Sequence, residues 1–259
     1  MPTSTYREFP PPAALARHLL CVWAQVIGAG DAVYRHRVLP DGCADVVWIG
    51  DAPAAVAGPA TGAVIVPLAP RTLVIGIRLR PGAAQAVLGV PASELADRDT
   101  PLADIWSARA ASLWERVAEQ PSPAGRLAAA QAALAGRLAD AGPPDAAIIA
   151  ATRWLARYPE GPIEHPARIR ATGERRLRRR FAAAVGYGPK TFQRVLRLQR
   201  VLSLASRQPG AHLAMIAADA GYADQAHMTR EVGEFSGVTP SALLGKVDSA
   251  LALYDLLHA

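Results

Sequence analysis

Hydrophobic and polar positions recur with different periods in the two halves of the chain. In the first half, residues 33–39 partly alternate between apolar and polar, and residues 44–49 and 73–79 are rich in β-branched side chains. Pro and Gly separate these runs, and this pattern predicts several short strands. Asp41-Gly42 is a turn signal between two of these runs. After Pro81-Gly82 the apolar residues recur at helical spacing. We therefore expect an α+β N-terminal domain, in which a small β-sheet or barrel is accompanied by helices.

The strongest helical pattern of this half covers residues 123–139. Its residues Leu127, Leu134 and Leu138 lie near one stripe of the predicted helix. That stripe faces either the sheet of the same chain or a second copy of the chain, and the pattern slightly favours the first alternative. Shorter helices are predicted at 83–88, 93–96 and 107–119.

A break follows at residues 140–144, where Gly142 is followed by two prolines that cannot continue a helix. We interpret this break as a linker between a domain at 1–140 and a second domain at 145–247. The second domain has an almost purely helical pattern, so it is predicted to be all-α. Its predicted helices are 146–157, 163–171, 174–184, 190–206, 212–220, 224–235 and 240–244.

The second domain contains one internal repeat, with an offset of 51 residues. Each copy has an apolar pair at i and i+4, an arginine between them, and then Gly-x-x-Pro. Gly suits a left-handed helix C-cap and Pro suits the first turn of the next helix, so each copy predicts a helix-turn-helix unit. The matched positions are Leu177 and Met228, Arg179 and Arg230, Phe181 and Val232, Gly186 and Gly237, and Pro189 and Pro240.

Helical geometry divides each of these units into a buried face and an exposed face. The apolar pairs anchor the helix to its core, and the opposite face carries Arg, Gln, Thr or small residues. Arg can bind guanine, Gln can bind adenine, and Ala or Thr can contact a thymine methyl group in a major groove. An ordinary helical bundle with exposed arginines is the alternative, which the twofold repetition disfavours. The predicted exposed positions are Arg175, Arg178, Arg179 and Ala182 in the first copy, and Gln225, Ala226, Thr229, Arg230 and Gly233 in the second.

The charge distribution agrees with a polyanionic partner. The chain has 28 basic and 22 acidic residues, for a formal charge of +6. Residues 1–144 hold 12 Arg and 12 acidic residues, whereas residues 145–247 hold 16 basic and 8 acidic residues. The excess positive charge therefore lies in the predicted all-α domain, as expected for DNA binding. A solvated basic face without a partner is the alternative.

Residues 145–245 resemble the DNA-binding domain of the AraC/XylS family of bacterial transcription regulators. The most diagnostic segments are 216–230, which reads IAADAGYADQAHMTR, and Gly237-Val238-Thr239-Pro240. The resemblance implies two helix-turn-helix units joined by a linker helix at 190–206, which enter successive major grooves of double-stranded DNA. It implies base readout from Arg175, Arg178, Arg179, Gln225, Ala226, His227, Thr229 and Arg230. The sequence departs from the family at Gly173, Val232 and Gly233.

The segments 37–47 and 77–84 resemble an uncharacterised N-terminal domain of AraC-like regulators. The resemblance implies effector sensing or dimerisation, so a small-molecule effector, RNA polymerase and a second copy of the chain are candidate partners. An alternative is a thiol- or metal-dependent sensor or enzyme centred on Cys43. No catalytic motif or metal-ligand spacing is found, so we expect no enzyme activity, no metal and no cofactor. The absence of a signal peptide and of a long apolar run predicts a cytoplasmic, nucleoid-associated protein without a membrane partner.

Overall fold

The computed structural model of the chain describes residues 4–30, 32–106, 112, 115–139, 141–161 and 174–245. The first part of the described chain is built mainly from strands, which begin well before the first predicted one. Their bounds are β1 (Ser4–Phe9), β2 (Leu19–Ile27), β3 (Tyr34–Val38), β4 (Asp45–Ile49), β5 (Ala55–Ala57), β6 (Val64–Leu68), β7 (Leu73–Leu79) and β8 (Asp99–Pro101).

Six of the strands form one antiparallel sheet in the order β1-β2-β7-β4-β5-β8, and β3 pairs with β6 in a separate two-stranded sheet. The central strand β7 lies between β2 and β4, where Ile77 is opposite both Val22 and Val46. These three side chains are buried, together with Trp48. Of the two alternatives predicted for this region, the structure shows a sheet.

Helices cover this sheet, as the sequence predicted. They are α1 (Ala84–Leu88), α2 (Ala92–Leu95), α3 (Leu102–Trp106) and α4 (Pro123–Leu138). Helix α4 begins at the N-cap Ser122, whose hydroxyl accepts a hydrogen bond from the Gly125 amide at 3.1 Å. Its residues Leu127, Leu134 and Leu138 are buried in the core of the sheet domain. The intrachain interpretation of this stripe is therefore confirmed.

The second part of the described chain is helical, so the predicted fold class is confirmed. Its helices agree with the predicted bounds to within two residues. The predicted helix over 163–171 and most of the one over 107–119 lie outside the described residues. The helices are α5 (Ala146–Arg157), α6 (Glu174–Val185), α7 (Pro189–Arg207), α8 (Leu213–Asp219), α9 (Gln225–Ser236) and α10 (Pro240–Leu244).

The 19-residue helix α7 forms the centre of the second core. Its residues Phe192, Val195, Leu198 and Val201 are fully buried, because apolar positions at spacings of three and four form one wide stripe. Helices α5, α6, α8 and α9 all pack against α7. Within the described residues, no helix combines the length and apolar character that crossing a bilayer would require.

Candidate nucleic-acid interface

Helix α6 buries one face and exposes the other. Leu177 and Phe181 are 5% and 0% exposed, and the Phe181 ring meets the edge of Phe192 on α7 with centroids 5.7 Å apart. Arg175, Arg178 and Arg179 are exposed. The predicted anchors are thus buried and the predicted reading positions lie on the accessible face.

Arg180, which follows these three arginines, has a different environment. Its Nε and Nη2 donate to Asp145 Oδ2 at 3.0 and 2.5 Å. Asp145 is also the N-cap of α5, because its Oδ1 accepts from the Ala147 amide at 3.0 Å. Arg180 therefore ties the recognition helix of the first unit to the start of α5, and its guanidinium is engaged within the protein.

Helix α9 has the same division. Met228 and Val232 are 0% exposed, although Val232 replaces the larger aromatic residue of the family pattern. Gln225, Ala226, Thr229 and Arg230 are exposed. The hydroxyl of Thr229 donates to the carbonyl of Gln225 at 2.8 Å, so this hydroxyl is engaged within its own helix.

His227 is the one predicted reading residue that is half-buried. Its ring meets Tyr222 edge-on, with centroids 5.2 Å apart, and its Nε2 lies 4.0 Å from Glu231 Oε2. The imidazole is therefore directed partly towards its own domain, in contrast to the neighbouring Ala226.

The ends of both helices follow the predicted Gly-x-x-Pro chemistry. Gly186 and Gly237 adopt positive φ angles of 104° and 71°. Each accepts the left-handed conformation that ends a helix, and each amide donates back into the helix, to the carbonyls of Ala182 and Gly233 respectively. Pro189 and Pro240 then occupy the first turns of α7 and α10. At its start, α9 is capped by Asp224, whose Oδ1 accepts from the His227 amide at 2.6 Å.

A partly buried ion cluster, which the sequence did not predict, joins α9 to α7. We call Glu231, Glu234, Arg194 and Arg197 the Glu231 cluster. Glu231 is 4% exposed and accepts hydrogen bonds from Arg194 Nε at 2.8 Å and from Arg197 Nη2 at 2.8 and 2.9 Å. Burial pushes the pKa of Glu231 upward, but the hydrogen bonds and charges of the two arginines outweigh it and hold that pKa below its usual range.

The arginines of this cluster also pack on aromatic rings. The guanidinium carbon of Arg194 lies 4.8 Å from the centroid of Phe235, and that of Arg197 lies 5.3 Å from the centroid of Tyr222. The orientation of α9 on α7 is therefore specified by ion pairs as well as by apolar packing. The available signal was Glu231, which is three residues after Met228 and so shares the anchored face of the helix.

The N-terminal domain holds a second ion cluster, in which three carboxylates surround a single arginine. We call Arg78, Glu8, Asp41 and Asp45 the Arg78 cluster. The Arg78 guanidinium lies 3.1 Å from Asp45, 3.4 Å from Asp41 and 3.3 Å from Glu8, and the four side chains are 5–19% exposed. Burial raises the pKa of Asp45 to about 6, although Arg78 acts against this shift.

Cys43, the centre of the alternative hypothesis, lies beside this cluster. It follows the Asp41-Gly42 turn, in which the Cys43 amide donates to Asp41 Oδ1 at 2.9 Å. Cys43 is 4% exposed and Cys21 is 1% exposed. Burial raises the pKa of both thiols, so neither has the exposed thiolate character of a reactive cysteine. Among the described residues, no His, Cys, Asp and Glu side chains are grouped as a metal site would require.

The sequence of residues 7–101 matches the family described as a domain of unknown function (DUF6597), and residues 167–246 match the family described as a helix-turn-helix domain. A search of curated proteins found no match. Among solved structures, the apo form of a ToxT variant from Vibrio cholerae is 13% identical, covering 88% of this chain and 97% of that chain with a TM-score of 0.44. A second ToxT structure from Vibrio cholerae is 11% identical and covers 94% of this chain and 98% of that chain, with a TM-score of 0.41.

Those two structural similarities are too weak to carry an argument, but the family matches are specific to each half of the chain. The helix-turn-helix match covers both recognition helices and the linker helix α7 between them. It also covers the AraC-type segments 216–230 and 237–240. These matches support an AraC-type DNA-binding transcription regulator in which a domain of unknown function precedes the helix-turn-helix domain.

Proposed function

We propose that α6 and α9 read two successive major grooves on one face of the same DNA duplex. The observation that carries this proposal is the shared division of the two helices. Each buries its apolar pair, Leu177 with Phe181 or Met228 with Val232, and exposes the side chains between and beside them. A recognition helix needs one apolar face that packs on the core of its domain and one accessible polar face that can contact bases.

The proposed readers differ in chemistry between the two helices. Arg175, Arg178 and Arg179 on α6 suit guanine O6 and N7, which accept two hydrogen bonds from one guanidinium. On α9, Gln225 suits adenine, Arg230 suits guanine, and Ala226 and Thr229 suit thymine methyl groups. His227 takes a secondary role, because its ring packs against Tyr222.

We further infer that the chain divides into domains at 1–140 and 145–247. The support is that the buried side chains of the strands and α4 form two apolar clusters with no member after Leu138, whereas those from Ile148 to Leu243 form a third. The first domain is proposed to receive a signal. A small-molecule effector, RNA polymerase and a second copy of the chain stay predictions, as does location in the cytoplasm.

The alternative function centred on Cys43 has less support. A thiol sensor needs a cysteine that solvent or an oxidant can reach, and Cys43 is buried with a raised pKa. The helix-turn-helix match supports a regulator, and the described residues offer no catalytic constellation around this thiol. We therefore assign Cys43 a packing role in the N-terminal domain and propose no enzyme activity for the chain.

The decisive experiment compares specific and random DNA. The operator is first selected from a random duplex pool with the full chain. Arg230→Ala is then expected to weaken binding to the selected operator by about 1–3 kcal/mol, with a smaller loss on random DNA, because a base contact is lost. Fluorescence anisotropy at fixed salt concentration measures both losses.

The matched control is Arg7→Ala, which removes the same charge from an exposed position on β1. It is expected to leave both affinities unchanged. An equal loss on operator and random DNA would show that Arg230 contacts only phosphate, and no loss on either would remove α9 from the proposed interface.

A further inference from the structure

The N-terminal domain contacts both recognition helices at equivalent ends. Gly186 ends α6, and a Cβ atom placed there would lie 2.9 and 3.0 Å from the Cγ and Cβ of Pro59. Gly237 ends α9, where the Nη1 of Arg37 donates to the carbonyl of Ser236 at 2.5 Å. The two glycines are 51 residues apart and occupy the same position of the repeat. One domain thus touches the corresponding end of each reading helix.

Between these two contacts, the segment 39–43, which we call the interdomain turn, lies along the linker helix α7. Gly42 has a φ of +83°, and a Cβ atom there would lie 2.6 Å from Phe192 Cε2. The carbonyl of Pro40 accepts a hydrogen bond of 2.7 Å from Nε2 of Gln199, which is itself 4% exposed. Phe192 and Gln199 are seven residues apart, so the turn follows about two turns of one face of the helix.

The contacts of the interdomain turn are connected to both α6 and α9 through side chains of α7. Phe192 is in contact with Phe181, the anchor of α6, and the same helix α7 holds α9 through the Glu231 cluster. The Leu39 side chain packs against the core of the helical domain. The interdomain turn is therefore inserted where both units are joined, and Arg37 adds a direct bond to the end of α9.

The nature of the Gln199 bond shows that this contact is specific. An amide that is 4% exposed needs a partner, and the partner here is a backbone carbonyl 159 residues away. Gly42 likewise leaves no room for a side chain between the turn and Phe192. If the two domains were only in loose contact, the Gln199 amide would be expected to find its hydrogen-bond partner within its own domain.

We infer that Arg37, Pro40 and Gly42 are positioning residues for DNA reading. The N-terminal domain braces α6 and α9 at their C-terminal ends and fixes the separation and helical phase at which they meet the duplex. The spacing between the two subsites of the operator is then a property of this contact as well as of α7. This inference rests on the proposed reading of two successive grooves.

The test measures spacing preference. DNA duplexes are made from the selected operator with one or two base pairs inserted or deleted between the two subsites, each of which turns one subsite by about 34° per base pair relative to the other. The full chain is expected to lose about tenfold or more in affinity on the altered duplexes, comparable to a base mismatch. The double variant Arg37→Ala with Gln199→Leu is expected to lose less than about threefold on the same duplexes, because the two helices can reorient.

The control is Arg35→Ala, which removes an exposed arginine two residues before Arg37 on the same strand and should keep the full spacing penalty. Circular dichroism verifies folding, and Arg37→Ala alone provides the test if the double variant does not fold. A full penalty in the wild-type chain and in the folded variants would overturn the brace and leave the proposed function standing. A wild-type chain indifferent to spacing would instead overturn the reading of two grooves, and the brace with it.

Discussion

The two ion clusters of this protein differ in charge balance. In the Arg78 cluster, one guanidinium faces three carboxylates, whereas in the Glu231 cluster one deeply buried carboxylate faces two guanidinium groups. Burial dominates in the first and raises the pKa of Asp45, while the arginines dominate in the second and lower the pKa of Glu231. The two domains should therefore respond to pH in opposite directions.

The sign of each response follows from linkage. A carboxyl whose pKa is raised on folding contributes stability at low pH, and this contribution is lost as pH rises through the folded value, which is about 6 for Asp45. A carboxyl whose pKa is lowered contributes stability above its unfolded pKa, and this is lost as pH falls through the folded value. The N-terminal domain should thus weaken as pH rises from about 4 to about 7, whereas the helical domain should weaken in acid.

The largest expected effect comes from removing the lone cation of the Arg78 cluster. Arg78→Met leaves Glu8, Asp41 and Asp45 close together and buried without their counter-ion, so we expect a loss of at least about 3 kcal/mol in the stability of the N-terminal domain. Urea denaturation combined with hydrogen exchange of β4 and β7 measures this loss. Arg7→Met, on an exposed position of β1, is the control, and a loss no larger than that of the control would refute the proposed importance of the cluster.

A smaller effect is expected from Glu231→Gln. The substitution keeps one acceptor for Arg197 but removes the buried carboxylate that Arg194 and Arg197 share, and it leaves Arg194 paired with the exposed Glu234. This should cost the helical domain about 2 kcal/mol at neutral pH. The acid dependence of exchange in α7 and α9 should also decrease, because the titrating group is gone. Glu234→Gln is the matched control, since Glu234 is 61% exposed and is expected to change little. A wild-type-like acid profile in Glu231→Gln would contradict the assignment.

The smallest expected effect is that of Asp45→Asn. Asn keeps an oxygen near Arg78 and does not ionise, so the variant should lose the decline in N-terminal stability that the wild type shows between about pH 4 and pH 7. The difference at pH 8 is expected to be on the order of 1 kcal/mol in favour of the variant. Thermal unfolding as a function of pH measures it, and a wild-type stability that rises over this range would show that Asp45 stays ionised.

Local signals account for what the sequence predicted correctly. The ends of α9 and α10 depend on Asp224, Gly237, Thr239 and Pro240, which act on backbone groups within a few residues, so they could be read directly. The anchors Phe181 and Met228 were identified from helical spacing alone. The match between the two copies of the 51-residue repeat supported the helix-turn-helix prediction more strongly than either copy does alone.

Pairing over long distances explains what the sequence did not predict. Strands β1 and β2 are defined by hydrogen bonds to each other and to β7, and their sequences lack clear alternation. Asp45 and Arg78 meet because they are opposite each other in the register of β4 and β7, which no local pattern encodes. The same holds for Gln199 and Pro40.

The absence of a side chain at Gly42 has a consequence for engineering. A chimera that joins a different N-terminal domain to this helical domain must place a residue without a side chain against the Phe192 ring, whatever the length of the connecting peptide. The function of such a chimera would then depend on this interdomain contact. Residue 42 is the first position to inspect when a chimera loses its regulation.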